Sequence, residues 1–419
     1  MIRFYNGLVL ESAGLTENEV WVDGTAISYV GPARPDMPAF DRQIDLRGDL
    51  LIPGFKNAHT HSGMTFLRSA ADDLPLHEWL EKQVFPAEAK LTPESTGAFV
   101  KVAFLEYLTS GVTACFDMYY HTDEIARIAR DWGFRTVLCG SFTAGNDWSE
   151  LYDFYDHYNH DFGPLVTAQL GFHAEYTTTQ EKLEYLSKVC HELKAPVWCH
   201  NSETASEAAD CVVRHGMTPT KLFDTLGLYD YGGGGYHCIY MTDEDMDIFA
   251  RRGVTCVLNA CSNGKLASGF FHLKEAMAKG VKLAVGTDGP ASNNALDFFR
   301  EMYLINIMAK LREGNAAAGD PALILDAAVS GGARAMGLTD CDAIAAGKQA
   351  DMVRVDMHRP NMRPVNNVVK NLVYSGNPSN VRMTMIAGKV LYENGEFFVG
   401  EDPEDVYRQA EKYARAIVG

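Results

Sequence analysis

Apolar positions change their spacing twice along the chain, and the changes divide it into three segments. In residues 1–50 they come as short β-branched and aromatic runs, Leu8-Val-Leu, Glu19-Val-Trp-Val and Ala26-Ile-Ser-Tyr-Val, broken at Asn6-Gly7, Asp23-Gly24 and Gly31-Pro32. That is the spacing of strands and turns. Similar runs return at residues 352–356, 368–374 and 382–392, with turns at Gly388-Lys389 and Asn394-Gly395. Residues 1–50 and 344–419 are therefore expected to build two halves of one small β-sandwich domain, with a terminal helix from Asp402 to Val418 packed on it.

Residues 51–343 follow another rule. Apolar strands ending near Ala58, Met118, Ser141, Phe172, His200, Tyr240, Asn259 and Thr287 alternate with stretches of 3.6-residue period, such as 101–108 and 181–190. Gly111, Gly133, Gly253 and Gly280 follow helical stretches, where a left-handed cap is wanted. Eight such units predict an α/β fold, a (β/α)8 TIM barrel, with its chemistry at the C-terminal ends of the strands.

The polar residues fall where that barrel needs them. His59 and His61 end the first strand two residues apart, so both rings face one side of an extended backbone. His173 follows strand four, His200 ends strand five, His237 lies in strand six and Asp288 follows strand eight. Such groups suit a divalent ion. One ion is expected, because the fourth strand, residues 165–172, carries no lysine to bridge a second. His157, His160, His191, His215 and His358 fall on helices, loops or the β unit and read as surface residues. Two roles are open to Glu203, three residues past His200: proton transfer beside the ion, which is favoured, or capping the next helix.

Other motifs fail on their spacing. His173-Ala-Glu175 has the H-x-E of cytidine-type deaminases but no P-C-x-x-C, and His77-Glu-Trp-Leu-Glu81 lacks the second histidine of H-E-x-x-H. Gly232 to Gly235 does not match a dinucleotide loop and reads as a flexible approach to strand six.

Composition narrows the partners. With 47% apolar and 22% charged residues the chain is of globular type, and a net charge of −18 argues against nucleic acid or an anionic membrane as partner. Nine cysteines without a CxxC pair point to a reducing, cytoplasmic compartment, and no apolar stretch is long enough to span a bilayer. A small-molecule substrate is expected, and a homo-oligomer is compatible with everything read so far.

Several motifs together resemble the amidohydrolase superfamily, and within it the 5′-methylthioadenosine/S-adenosylhomocysteine deaminases. They are Pro53-Gly-Phe-Lys-Asn-Ala-His-Thr-His61, the stretch from Asp73 to Lys90, His200-Asn-Ser-Glu-Thr204, Asn263-Gly-Lys-Leu-Ala-Ser-Gly269 and Gly286-Thr-Asp-Gly-Pro-Ala-Ser-Asn-Asn294. The resemblance implies that His59, His61, His200 and Asp288 hold the metal, zinc by preference and ferrous iron as the alternative. It gives Glu203, His237 and Asp288 the handling of water and proton, and assigns Trp79 to the base pocket, Glu88 to the ribose hydroxyls and His173 to the nucleoside. The implied reaction is hydrolytic deamination of an adenine nucleoside by a metal-activated water.

Two departures bear on the substrate. Residues 141–180 contain no lysine or arginine, while Asp147, Glu150, Asp153, Asp156 and Asp161 add negative charge. A substrate carboxylate would find no cation there, so 5′-methylthioadenosine, 5′-deoxyadenosine or adenosine is expected ahead of S-adenosylhomocysteine. Glu175 stands where the family has another residue and is expected to alter the pocket. The alternative function is deamination, or amide or amidine hydrolysis, of a free base, pterin or triazine at the same metal.

Overall fold

The computed structural model describes all 419 residues. Eight parallel strands, Phe55–Thr60, Val112–Asp117, Arg135–Cys139, Val166–Ala174, Val197–Asn201, Gly233–His237, Thr255–Leu258 and Lys282–Val285, neighbour one another in chain order. Nearly every residue in them is buried, as parallel strands covered by helices require. Inward residues Ala58, Phe116, Val137, Trp198, Tyr236 and Val257 belong to one buried cluster that fills the barrel. The first and last strands are joined by side chain and backbone together: Asn57 accepts the Thr287 N–H at 2.9 Å and donates to its hydroxyl at 2.8 Å, and the Asp288 N–H donates to the His59 carbonyl at 3.0 Å.

The glycine run corrects one expectation. Gly233 to Gly235 is not an approach to strand six; it is strand six, which ends at His237 rather than near Tyr240. The glycines are required by crowding: a Cβ on Gly233 would lie 2.0 Å from the Val197 carbonyl oxygen, and one on Gly234 would lie 2.0 Å from the Trp198 ring. Absence of side chains here lets the backbone pass against a filled barrel.

Both termini build the satellite domain, as two facing sheets. One orders Ala26–Gly31, Glu19–Asp23, Ile2–Tyr5 and Arg42–Asp45; the other joins the termini, with Leu50–Pro53 antiparallel to Met352–Val355. Phe4, Val20, Ile27, Met352 and Met383 pack in a common core. The sandwich is tied to the barrel by a buried pair in which Arg135 donates to both oxygens of Asp351 at 2.8 and 2.9 Å.

Two further expectations are overturned near the C-terminus. Val368–Tyr374 is a helix, not a strand: the Asn367 side chain caps it by accepting the Lys370 N–H at 2.9 Å, and Val368, Leu372 and Val373 bury one face. Val368, Val369, Leu372 and Val373 flank Lys370 and Asn371 at helical spacing, and that spacing with the cap outweighs the β-branched content that reads as strand. The terminal helix Pro403–Val418 packs on the barrel helix Pro93–Thr109, not on the sandwich, and Lys90 donates to its Ile417 carbonyl at 2.8 Å. No helix is long and apolar enough to cross a membrane.

Candidate active site

Strand ends bring the titratable residues into one buried cluster. One nitrogen from each of His59, His200 and His237 and one oxygen of Asp288 all lie within 4.8 Å of one another. His61 stands at its side, with Nε2 3.1 Å from Asp288 Oδ1, while His59 Nε2 is 3.4 Å from the same oxygen. Asp288 and His237 both have positive φ, 59° and 69°, a conformation that non-glycine residues hold only when their surroundings impose it.

Hydrogen bonds orient these rings. His61 Nδ1 donates to the Met118 carbonyl at 2.6 Å and His200 Nδ1 to the His173 carbonyl at 2.8 Å, so each points Nε2 into the cluster. Such bonds to the outer nitrogen are typical of metal-ligating histidines. The other Asp288 oxygen, Oδ2, accepts from the hydroxyls of Ser262 at 2.6 Å and Ser292 at 2.8 Å, which leaves Oδ1 for the histidines. The His59 ring lies stacked on Tyr236, centroids 3.7 Å apart.

Electrostatics and unmet hydrogen bonds test the fit to a cation. Burial drives His59 down to about 3 and lowers His200 and His237, keeping these three imidazoles neutral, whereas at His61 burial is outweighed by Asp288 and the ring rises to about 9. Burial also opposes the charged form of Asp288, but the closeness of the His59 and His61 rings prevails and holds it ionised. Both nitrogens of His59 and Nε2 of His237 are buried without any hydrogen-bond partner, an arrangement that costs free energy unless something satisfies them. Neutral imidazole nitrogens and one carboxylate, converging in a small space, fit a divalent ion.

Glu203 is free for chemistry. The helix Ala205–His215 is capped by Thr204 and Glu207, so Glu203 is not its cap. It is 4% exposed, makes no hydrogen bond through its side chain, and sits 3.7 Å from His237 Nε2. Burial first, then repulsion from Asp288, pushes its carboxyl up to about 8.

A cleft opens over these groups, at the end of the barrel where the strands terminate. Trp79, Glu88 and His173 all line it, as do His61, His200, Glu203, His237 and Asp288. Trp79 is fixed by its indole N–H, which donates to the Ala71 carbonyl at 2.9 Å. Burial pushes Glu88 up to about 7, with Tyr119 beside it drawing it back.

Glu175 is the residue the sequence misplaces. It does not line the cleft; it turns away to Arg214 and accepts from His215 at 2.9 Å. His215, read as a surface histidine, is therefore a partly buried hydrogen-bond partner of Glu175. Cleft residues that escaped the sequence reading include Tyr119, Tyr120 and Tyr176. Tyr119 and Tyr120 directly follow Met118 at the end of strand two, where a barrel places its pocket, but an aromatic pair there reads equally well as core.

Comparison with known proteins agrees with this geometry. Residues 50–391 match the Amidohydrolase family. A 5-methylthioadenosine/S-adenosylhomocysteine deaminase of Thermoanaerobacter pseudethanolicus is 34% identical over 97% of this chain and 96% of its own, and one of Desulfovibrio desulfuricans is 38% identical over 93% and 89%. An adenosine deaminase from Xanthomonas campestris, crystallised with bound zinc, superimposes with a TM-score of 0.94 at 32% identity, over 99% of this chain and 98% of its own. An atrazine chlorohydrolase from Arthrobacter aurescens shares the fold at 21% identity, with a TM-score of 0.90 over the full length of both chains. With the match spanning the whole barrel and relatives of such identity along nearly their full length, the chain belongs to the amidohydrolase family and is a metal-dependent hydrolase acting on carbon–nitrogen bonds.

Proposed function

We propose that the chain deaminates the adenine ring of a nucleoside whose 5′ group is uncharged, 5′-methylthioadenosine, 5′-deoxyadenosine or adenosine, in preference to S-adenosylhomocysteine. The names of its relatives support an adenine nucleoside as the class. The observation that carries the finer reading is the cleft lining: it holds Leu76, Trp79, Leu80, Tyr119, Tyr120 and Tyr176 but no lysine or arginine. A methylthio group gains from such walls about 0.8 kcal/mol for each buried methylene equivalent. A carboxylate buried there would meet no cation and would face Glu88 and Glu203.

In this reading His59, His61, His200 and Asp288 hold one divalent ion, zinc by preference, and His237 stands against it. When bound, the ion supplies Lewis acidity that brings a water's pKa towards neutrality. Glu203 takes a proton from the attacking water and returns it to ring N1, which relieves the charge that attack at C6 would otherwise build in the ring. The remaining hydroxyl proton passes to the C6 amino group, the C6–N bond breaks, ammonia departs and a hypoxanthine nucleoside remains. Glu88 binds the ribose hydroxyls, Trp79 flanks the base, and His173, its Nδ1 3.1 Å from the Thr177 hydroxyl, offers Nε2 to the nucleoside.

The test is ammonia release by zinc-loaded protein from 5′-methylthioadenosine, 5′-deoxyadenosine, adenosine, S-adenosylhomocysteine, adenine, guanine and cytosine in parallel. The uncharged nucleosides should have the highest kcat/KM. Equal turnover of S-adenosylhomocysteine would overturn the 5′ preference, and activity on free bases alone would overturn the nucleoside.

A further inference from the structure

Asn263 lies on a short helix after strand seven, Ala260–Lys265, which has four buried residues in succession: Ala260, Cys261, Ser262 and Asn263. Two of them reach the cluster without lining the cleft. Ser262 donates to Asp288, and Asn263 Oδ1 sits 2.7 Å from His237 Nδ1. Asn263 is 1% exposed, so this contact is sealed from water. An amide oxygen only accepts, which places the His237 proton on Nδ1 and leaves Nε2 bare. That Nε2 is the buried nitrogen without a partner, 3.7 Å from Glu203.

We propose that Asn263 is a positioning residue that fixes His237 in its Nδ1–H tautomer, so that Nε2 serves as a hydrogen-bond acceptor beside Glu203 and takes the second O–H of the attacking water. Glu203 takes the proton that is transferred; His237 accepts a hydrogen bond and aims the water. The assignment rests on the deamination reading above. The opposite arrangement, an NH2 group against Nδ1, would move the proton to Nε2 and make His237 a donor.

Two substitutions separate these arrangements. Asn263→Asp offers only acceptor oxygens at the same length, and Asn263→Leu offers neither donor nor acceptor. For the acceptor role, Asn263→Leu should lower kcat on 5′-methylthioadenosine by roughly 10–100-fold, with KM and the content of one ion per chain little changed. Asn263→Asp should recover most of that loss.

A second readout does not involve turnover. In protein labelled with 15N-histidine and loaded with zinc, the His237 signal, identified by its loss in His237→Gln, should show a protonated Nδ1 and an unprotonated Nε2 in wild type and in Asn263→Asp. The proposal is overturned if wild-type His237 carries its proton on Nε2, if Asn263→Asp is as impaired as Asn263→Leu, or if the loss in Asn263→Leu follows a lost ion. Because the wild-type spectrum needs neither variant to fold nor any substrate, it decides the tautomer even if no adenine nucleoside is turned over, an outcome that would count against the proposed function instead.

Discussion

The Glu207 carboxylate accepts the backbone N–H of Glu203 at 2.8 Å, reaching back from the first turn of its helix. Its other oxygen accepts the Ser202 N–H, also at 2.8 Å, and so steadies a residue with φ of 52°. Two carboxylates four residues apart thus divide the work. Glu207 caps the helix and holds the turn, which frees the Glu203 side chain to face the cleft.

Glu203→Gln keeps the shape and removes the proton carrier. It should reduce kcat on an adenine nucleoside by roughly 10²–10⁴-fold. Metal analysis should still find one ion per chain, because Glu203 is neither among the proposed ligands His59, His61, His200 and Asp288 nor in the close cluster that includes His237. Turnover within a few-fold of wild type would remove Glu203 from the mechanism.

Stripping the ion should cost stability as well as activity. A ligand bound only by the folded chain and present at a thousand times its Kd stabilises by about 4 kcal/mol. His59, a proposed ligand whose ring nitrogens have no hydrogen-bond partner, is the group that loses most. Thermal unfolding with and without a chelator should show a lower midpoint that zinc restores, and Asp288→Asn should erase that difference.

Glu301 supplies a pH dependence away from the reacting groups. It is buried behind the Asp288 loop, accepting from the Asn293 amide at 2.7 Å and the Cys261 N–H at 3.2 Å, and burial pushes its carboxyl from 4.5 up to about 8. The folded chain therefore holds this proton at pH values where the unfolded chain has released it. The stability it contributes is complete below pH 4.5 and is lost as pH rises towards about 8. Glu301→Gln should flatten that fall in the urea midpoint, and an unchanged slope would show that Glu301 does not set it.

Gly234→Ala tests the crowding of strand six. The new methyl would lie 2.0 Å from the Trp198 ring and 2.5 Å from the Thr255 carbonyl oxygen, and the latter is backbone that cannot swing aside. Destabilisation should exceed the roughly 1–3 kcal/mol usual for an overpacked core. A urea midpoint equal to wild type would mean that the strand has room to move.

Strand and helix periods made the barrel legible, and the ends of those strands made His59, His61, His173, His200, His237 and Asp288 legible with it. The same local logic failed for residues 368–374, where the β-branched content reads as strand although the spacing of Val368, Val369, Leu372 and Val373 and the Asn367 cap make a helix. It failed again for the terminal helix, because an amphipathic face made of Val406, Ala410 and Ile417 states that it must be covered but not by what.

What the sequence alone determined about this protein is what repeats locally: eight alternating units, a β-rich segment at each end, and metal-type ligands at strand termini. Period and side-chain chemistry are carried by residues a few positions apart, so they survive without coordinates. What only the tertiary structure decided is which distant partners meet. Glu175 is claimed by Arg214 and His215, 39 and 40 residues away, and so leaves the cleft. His237 is claimed by Asn263, 26 residues away, which sets the direction of its proton. A buried polar group takes whichever partner the packing brings within about 3 Å, and that choice is made by the fold of the whole barrel rather than by any stretch of chain.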